Sequence, residues 1–211
     1  MAHRSTAARA KGRVTATRTD VVAAATRVLD RMGLDALSMR AVAAELGVGV
    51  STLYWHVRDK RELLTLIVEE SLRDLRAPES GPWDARLAAF LRDSRRILRA
   101  RPALVPAIWT AGWALGPQTL RIANVLIGLI GESGIPAREV RDAYFALVSL
   151  LFGFVSTEAM SPNTQAFDQS VDDATRNAFP ALARFRPSAE SAAMDRRFDY
   201  AIGRFIQGLR A

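Results

Sequence analysis

From Val21 to Leu209 the apolar residues recur three and four positions apart, and no stretch alternates polar with apolar over the length of a half-buried strand. That spacing predicts an all-α fold and leaves no sheet to organise. Local punctuation divides the pattern. Thr17, with Asp20 three residues on, forms a capping pattern ahead of a helix whose apolar face is Val21, Val22, Ala25, Val28, Leu29 and Met32. Gly33 stands where helices end in a left-handed residue. Ser38 caps a short second helix with Val42, Ala43 and Leu46 on its inner side, stopped by Gly47. After the tight turn Gly47-Val48-Gly49, a third short helix covers Ser51 to Val57. Asp59 with Glu62 repeats the capping pattern before a long helix over Lys60 to Arg76.

The run Ala77-Pro78-Glu79-Ser80-Gly81-Pro82 breaks that helix, so the domain boundary belongs there. Three segments are expected: a flexible basic arm over 1–16, a three-helix head with its linking helix over 17–76, and a second helical domain over 77–211. In the last, helices are predicted over Asp84–Arg99, Ala103–Gly112, Pro117–Gly131, Ala137–Met160, a weaker stretch near Phe167–Phe185, and Ser188–Leu209. The uncharged run Pro102 to Leu120 nearly has the length of a membrane span. Its prolines and glycines point instead to buried protein helices, and no membrane partner is expected.

Charge narrows the function classes. Among 211 residues, 29 are Lys or Arg and 22 are Asp or Glu, a net +7 that favours a polyanionic partner. Residues 1–62 carry 11 basic and 6 acidic residues, so the excess is N-terminal. Residues 1–20 hold Arg4, Arg9, Lys11, Arg13 and Arg18 with no apolar run of a secretion signal. An unengaged tail, a phosphate-tracking or minor-groove arm, and an organelle transit peptide are the open readings of this segment. The absence of cysteine excludes disulfides, thiolate metal sites and a cysteine nucleophile, and fits a reducing, cytoplasmic life.

Two short helices joined by a glycine turn make a helix-turn-helix candidate whose second helix can enter a DNA major groove. Thr52, Tyr54, Trp55 and His56 crowd that helix with hydrogen-bonding and aromatic groups. Facing DNA, Thr52 can touch a base edge or a thymine methyl, and Tyr54 and His56 can donate to phosphates. Packing of Tyr54 and Trp55 between the short helices is the bland alternative. Lys60, at a helix start, would add to the phosphate attraction of that terminus. His56 as a metal ligand is not supported, since the only other histidine is His3, and neither a metal nor a cofactor is expected.

The stretch Leu37-Ser38-Met39-Arg40-Ala41-Val42-Ala43-Ala44-Glu45-Leu46-Gly47-Val48, with Ser51-Thr52-Leu53-Tyr54-Trp55-His56-Val57 and Asp59-Lys60-Arg61-Glu62-Leu63-Leu64, resembles the N-terminal domain of the tetracycline-repressor (TetR) family of bacterial transcriptional regulators. The Leu-Tyr-Trp-His run resembles the branch nearest the tetracycline repressor. The resemblance implies DNA-contacting positions at Arg40, Val50, Ser51, Thr52, Tyr54, His56 and Lys60, with Trp55 in the same helix. It also implies a ligand-binding, dimerising helical core. Phe179-Pro180-Ala181-Leu182 and Phe198-Asp199-Tyr200-Ala201-Ile202-Gly203 resemble that core domain, though less closely.

The residues of the second domain support both halves of that implication. The helix Ala137–Met160 is apolar around most of its circumference, Phe154 included, and must be covered twice. The last helix presents Met194, Phe198, Ile202, Phe205 and Leu209 at coiled-coil-like spacing, suited to a partner helix, so a four-helix homodimer interface is expected, with a monomeric bundle that buries both faces internally as the alternative. Phe90, Trp109, Trp113, Asn124, Tyr144, Ser149 and Phe152 suggest a pocket, apolar with a few orienting groups, and plain core packing of the aromatics is the alternative. Family members that bind tetracycline hold a magnesium–drug chelate with a core-domain histidine, and this core has none.

The expected function is a homodimeric, ligand-responsive regulator, most simply a repressor released from a palindromic double-stranded operator by a small apolar or aromatic molecule. A non-specific or architectural DNA binder is the first alternative. An enzyme with a helical active site is the second, and it lacks support: there is no phosphate loop, and neither Glu132 nor Glu158 has an evident acid–base partner in the sequence.

Overall fold

A computed structural model describes residues 16–112, 116–160 and 191–210, together with Ala178, Phe179 and Ala181. The described residues form helices joined by turns, in the order α1 (Arg18–Ala36), α2 (Met39–Leu46), α3 (Val50–Tyr54), α4 (Lys60–Ser71), α5 (Trp83–Ala100), α6 (Leu104–Thr110), α7 (Pro117–Gly131), α8 (Ala137–Met160) and α9 (Ser191–Gly208). The chain divides into two compact units, 1–67 and 68–211, and the division falls inside α4. The stretch expected near Phe167–Phe185 lies almost wholly outside the described residues.

In the first unit the helix ends follow local chemistry. The Thr17 hydroxyl accepts the Asp20 N–H at 3.2 Å while the Asp20 carboxylate accepts the Thr17 N–H at 2.9 Å, a reciprocal cap. Gly33, at φ 80° and ψ 177°, breaks α1, and only a short turn continues to Ala36. Ser38 Oγ accepts the Ala41 N–H at 3.1 Å at the start of α2. At its end Gly47 takes φ 72°, a left-handed conformation that a side chain would oppose, and Val48 N–H closes back on Ala43 O at 3.0 Å. Val21, Ala24, Ala25, Val28, Val42, Leu53 and Val57 are buried, the valine and leucine side chains each contributing about 1.5–3 kcal/mol less the entropy of ordering them. α3 is shorter than expected. Beyond Tyr54 the chain turns, with the His56 and Val57 N–H groups both donating to Leu53 O, which carries Val57 back inside.

The second unit is built around α5. It packs against α7, α8 and α9, and α6 packs against α8. Leu87, Phe90, Leu91, Leu98, Leu129, Ile130, Leu147, Val155, Phe198 and Ile202 form its core. Arg95 lies among them with its side chain 10% exposed. Its guanidinium donates to both Glu158 oxygens, at 3.0 and 2.8 Å, and to Asp195 at 2.7 Å, and it lies 5.4 and 5.0 Å from the ring centres of Phe154 and Phe198. One cation thereby ties α5 to α8 and α9.

The linking helix was expected to reach Arg76, but α4 ends at Ser71. The cause lies 50 residues downstream. Arg121 of α7 donates to the carbonyls of Leu75 at 2.7 Å and Leu72 at 3.3 Å, and the segment tightens into three-residue turns through Arg73 N–H to Glu70 O and Leu75 N–H to Leu72 O. In return Glu69 caps α7: its carboxylate accepts the N–H groups of Gln118 (2.6 Å) and Thr119 (3.0 Å) and the Thr119 hydroxyl. Any side chain at Gly116 would overlap the Glu69 carboxyl group, so a glycine permits this close approach.

Ser38→Ala removes a cap and is expected to cost about 1 kcal/mol in urea unfolding. Ser51→Ala, at an exposed position, should be nearly neutral. Glu158→Ala leaves the buried Arg95 charge short of its main partner, and a loss of about 3 kcal/mol is expected in the same experiment. Hydrogen bonds and neighbouring cations hold the Asp20, Glu45 and Glu62 carboxyls below their ordinary range: Thr17 for Asp20, Arg27 and Arg31 for Glu45, Arg58 for Glu62. Because the folded-state values are the lower ones, the stabilisation is complete above the unfolded carboxylate range and disappears as pH falls through the folded values. Helical circular dichroism followed in acid should lose stability in that window, and Glu62→Gln should reduce the slope.

Candidate functional site

The chain Ser38 cap, left-handed Gly47 and α3 presents a particular set of side chains. Arg40, Ser51, Tyr54 and Trp55 are exposed, while Val50, Thr52, His56 and Lys60 are half-buried. Tyr54 is 55% exposed and Trp55 is 88% exposed. Packing between the short helices therefore does not account for either ring, least of all for Trp55. Leu53, between them in sequence, is fully buried and anchors α3 while its neighbours face outward.

Lys60 has a second occupation. Its Nζ donates at 3.0 Å to Leu34 O, which also accepts the Leu37 N–H at 3.3 Å, so at least one of its three donors is structural. Arg18 and Arg58 converge on Glu62, at 3.0 and 3.1 Å, and Arg27 and Arg31 on Glu45, at 2.9 and 2.7 Å. The basic excess of this unit is thus partly neutralised away from α3, whereas Arg40 has no ion-pair partner among the described residues. The basic arm's Arg4, Arg9, Lys11 and Arg13 lie outside the described residues.

The residues expected to line a pocket in the second unit differ in exposure. Phe90 is fully buried core, because the a-type face of α5 that carries it is covered by its own neighbours. Trp109, 49% exposed, meets half-buried Phe152 edge to face at 5.7 Å. Tyr144 packs edge to face on Phe145 at 5.4 Å, and burial pushes its hydroxyl pKa up. Ser149 is exposed, and Trp113 lies outside the described residues. Only Asn124 of this set lines a cavity of about 370 Å³, which it shares with Arg76, Arg121, Val125 and Leu129. Sequence reasoning missed both arginines. Arg121 is the sole charge in α7, a signal that was available.

Most of the stripe expected to meet a partner helix lies within the chain itself. Phe198, Ile202 and Leu209 are buried in the chain's own core, where Phe154 meets Phe198 edge to face at 5.0 Å, and Met194 and Phe205 are half-buried. α5 and α8 of the same chain cover that stripe. The face left open carries Phe145, Ala146, Ser149, Gly153 and Thr157 on α8, with Tyr200, Gly203, Arg204 and Gln207 on α9. Phe145 and Tyr200 are 49% and 65% exposed there, and a side chain at Gly153 would meet nothing within 4 Å.

Among the described residues no cluster of three metal-ligating side chains occurs. Glu158 and Glu132, the carboxylates without evident partners in the sequence, are paired with Arg95 and Arg86.

Residues 21–67 match the family described as bacterial regulatory proteins, tetR family, and residues 76–211 match the tetracyclin repressor-like C-terminal domain. The chain is similar to an HTH-type transcriptional regulator of Saccharopolyspora erythraea, 32% identical over 68% of this chain and 61% of the relative. It is similar to the HTH-type transcriptional repressor DrrR1 of Streptomyces coeruleorubidus, 33% identical over 74% of this chain and 56% of the relative. It thus spans about three fifths of the length of these curated relatives. Among solved structures, the Streptomyces coelicolor TetR family protein ActR in complex with actinorhodin superposes with a TM-score of 0.76 at 27% identity, covering 92% of this chain and 95% of that one. With family matches running from Val21 to Ile67 and from Arg76 to the last residue, the chain belongs to the tetR family of bacterial regulatory proteins.

Proposed function

We propose that the chain is a homodimeric transcriptional repressor, cytoplasmic and non-enzymatic, that holds a palindromic operator through α3 and is released by a small apolar or aromatic effector. The observation that carries this reading is the exposure of Tyr54 and Trp55 on a helix anchored by buried Leu53, behind a capped glycine turn. Large rings facing water on so short a helix have no packing role and suit a surface completed by DNA. Arg40, Tyr54, Trp55, His56 and Lys60 then serve phosphates and the sugar edge, while Val50, Ser51 and Thr52 meet bases. The similarity to a protein named a repressor supports the direction of control.

The effector reading rests on the aromatic contact between Trp109 and Phe152 and on the solved complex of ActR with actinorhodin. Release is a population shift: an effector favouring the arrangement unsuited to the operator weakens DNA binding by its differential affinity, with coupling of roughly 1–3 kcal/mol. α4, continuous from Lys60 to Ser71, is the covalent link along which that coupling runs. The dimer forms on the open face of α8 and α9, where Gly153 and Gly203 let helices approach and Phe145 and Tyr200 supply apolar area. The ion pairing of Glu158 and Glu132 supports a non-enzymatic reading.

Selection of bound sequences from random DNA should return a palindrome. Tyr54→Phe should weaken binding equally on all sequences, and Thr52→Ala should relax preference at one or two base pairs at a cost of about 1–3 kcal/mol. The reverse pattern would overturn the division of roles, and binding without sequence preference would favour an architectural protein. Gly153→Leu fits the isolated chain, so it should leave thermal unfolding of the monomer intact while lowering the sedimenting mass from two chains to one. Tetracycline with magnesium should not release the operator in a gel shift, since the second unit offers no histidine.

A further inference from the structure

The cavity of about 370 Å³ beside the end of α4 has a composition that the effector reading leaves unexplained. Arg76 and Arg121 both line it, and neither takes part in an ion pair among the described residues. Arg76 donates to the Arg73 and Leu75 carbonyls, and Arg121 to Gln118 Oε1 and to the Leu72, Arg73 and Leu75 carbonyls. These acceptors are neutral. They satisfy hydrogen bonds and leave two positive charges facing one space. Burial and the Arg76 charge together hold the Arg121 pKa below its usual value.

The nearby carboxylates are engaged or remote from this role. Glu69 favours the Arg121 charge, but its oxygens accept from Gln118 and Thr119 at the start of α7. Two carboxylates line the cavity itself: Glu132, held at 2.9 Å by Arg86, which also lines it, and exposed Glu79, so the lining keeps an excess of positive charge. Against the two arginines stand Val125 and Leu129, an apolar wall, with the Asn124 amide at the same cavity. A bare inorganic ion would waste the wall, and a neutral hydrocarbon would leave the charges opposed.

From this juxtaposition we propose that the cavity is a binding site for a small organic carboxylate, its anionic end held by Arg76 and Arg121 and its apolar body laid on Val125 and Leu129. The proposal rests on the effector-responsive reading above but concerns a different place in the second unit, since neither Trp109 nor Phe152 lines this cavity. Arg76 retains donors beyond the Nη1 bonds to carbonyls, so it can fork onto a carboxylate without releasing α4. Arg121 is shared: a carboxylate there competes with the Leu72 and Leu75 carbonyls for one guanidinium, so occupancy acts on the end of the linking helix itself.

The test is calorimetric titration of the full chain, at fixed ionic strength, with 1-naphthoate and with its neutral counterpart 1-naphthamide. Naphthoate is expected to bind about tenfold or more tightly than naphthamide, the factor appropriate to a charge-assisted pair. Arg76→Gln should bring naphthoate down to the amide's affinity and leave the amide unchanged, and Arg76→Lys should restore part of the difference. Circular dichroism of the variants separates loss of binding from loss of fold, which matters more for Arg121→Gln because Arg121 holds the carbonyls that follow α4. Equal binding of acid and amide, no binding of either, or naphthoate binding unaffected by Arg76→Gln overturns the proposal. Operator binding measured without either probe tests the regulatory reading separately: intact operator binding with no acid preference sinks the carboxylate site alone.

Discussion

A single buried guanidinium governs the second unit. Taking Arg95 out of water is tolerable only if carboxylates meet it, and the carboxylates come from two other helices, Glu158 on α8 and Asp195 on α9. The rings of Phe154 and Phe198 close over the remaining surface. α5, α8 and α9 are therefore not free to slide on an apolar interface: a shift that separates Arg95 from Glu158 strands a charge. This fixes which sides of α8 and α9 turn inward, and so which sides are left open. The small residues Ala146, Ser149, Gly153 and Gly203 face outward because the larger ones answer to Arg95 and its surroundings.

The first unit obeys a different economy. Its polar groups are satisfied at the turns by Thr17, Ser38, Asp59 and Lys60, each bonded to a backbone group at a helix boundary. What those bonds leave uncovered is the outer side of α3. The rigidity sits in the caps and in Leu53, and the exposed rings ride on it. A surface held in this way keeps its shape before anything covers it, which limits the ordering cost of binding.

Much of this was legible in the sequence because it is local. Thr17, Gly33, Ser38 and Gly47 act within four residues of themselves, and the helix starts at Lys60, Pro117 and Ala137 followed from the same short-range chemistry. Partnership was not legible. Periodicity showed that Phe198, Ile202 and Leu209 form a buried stripe, but only the packing of α5 and α8 tells that the chain buries it by itself. The burial of Phe90 likewise depends on neighbours that no sequence window contains. The early end of α4 depends on Arg121, and the cavity at Asn124 exists only once α7 lies against that end, so neither leaves a mark within a sequence window.

Trp55 has an optical consequence. It is the sole tryptophan among residues 1–67, the others being Trp83, Trp109 and Trp113. An indole so open to water emits at long wavelength and is readily quenched, and its emission changes when a macromolecule covers it. With the other three tryptophans replaced by phenylalanine, the first unit carries its own spectroscopic label at the face in question. No dye is needed to watch that face become covered.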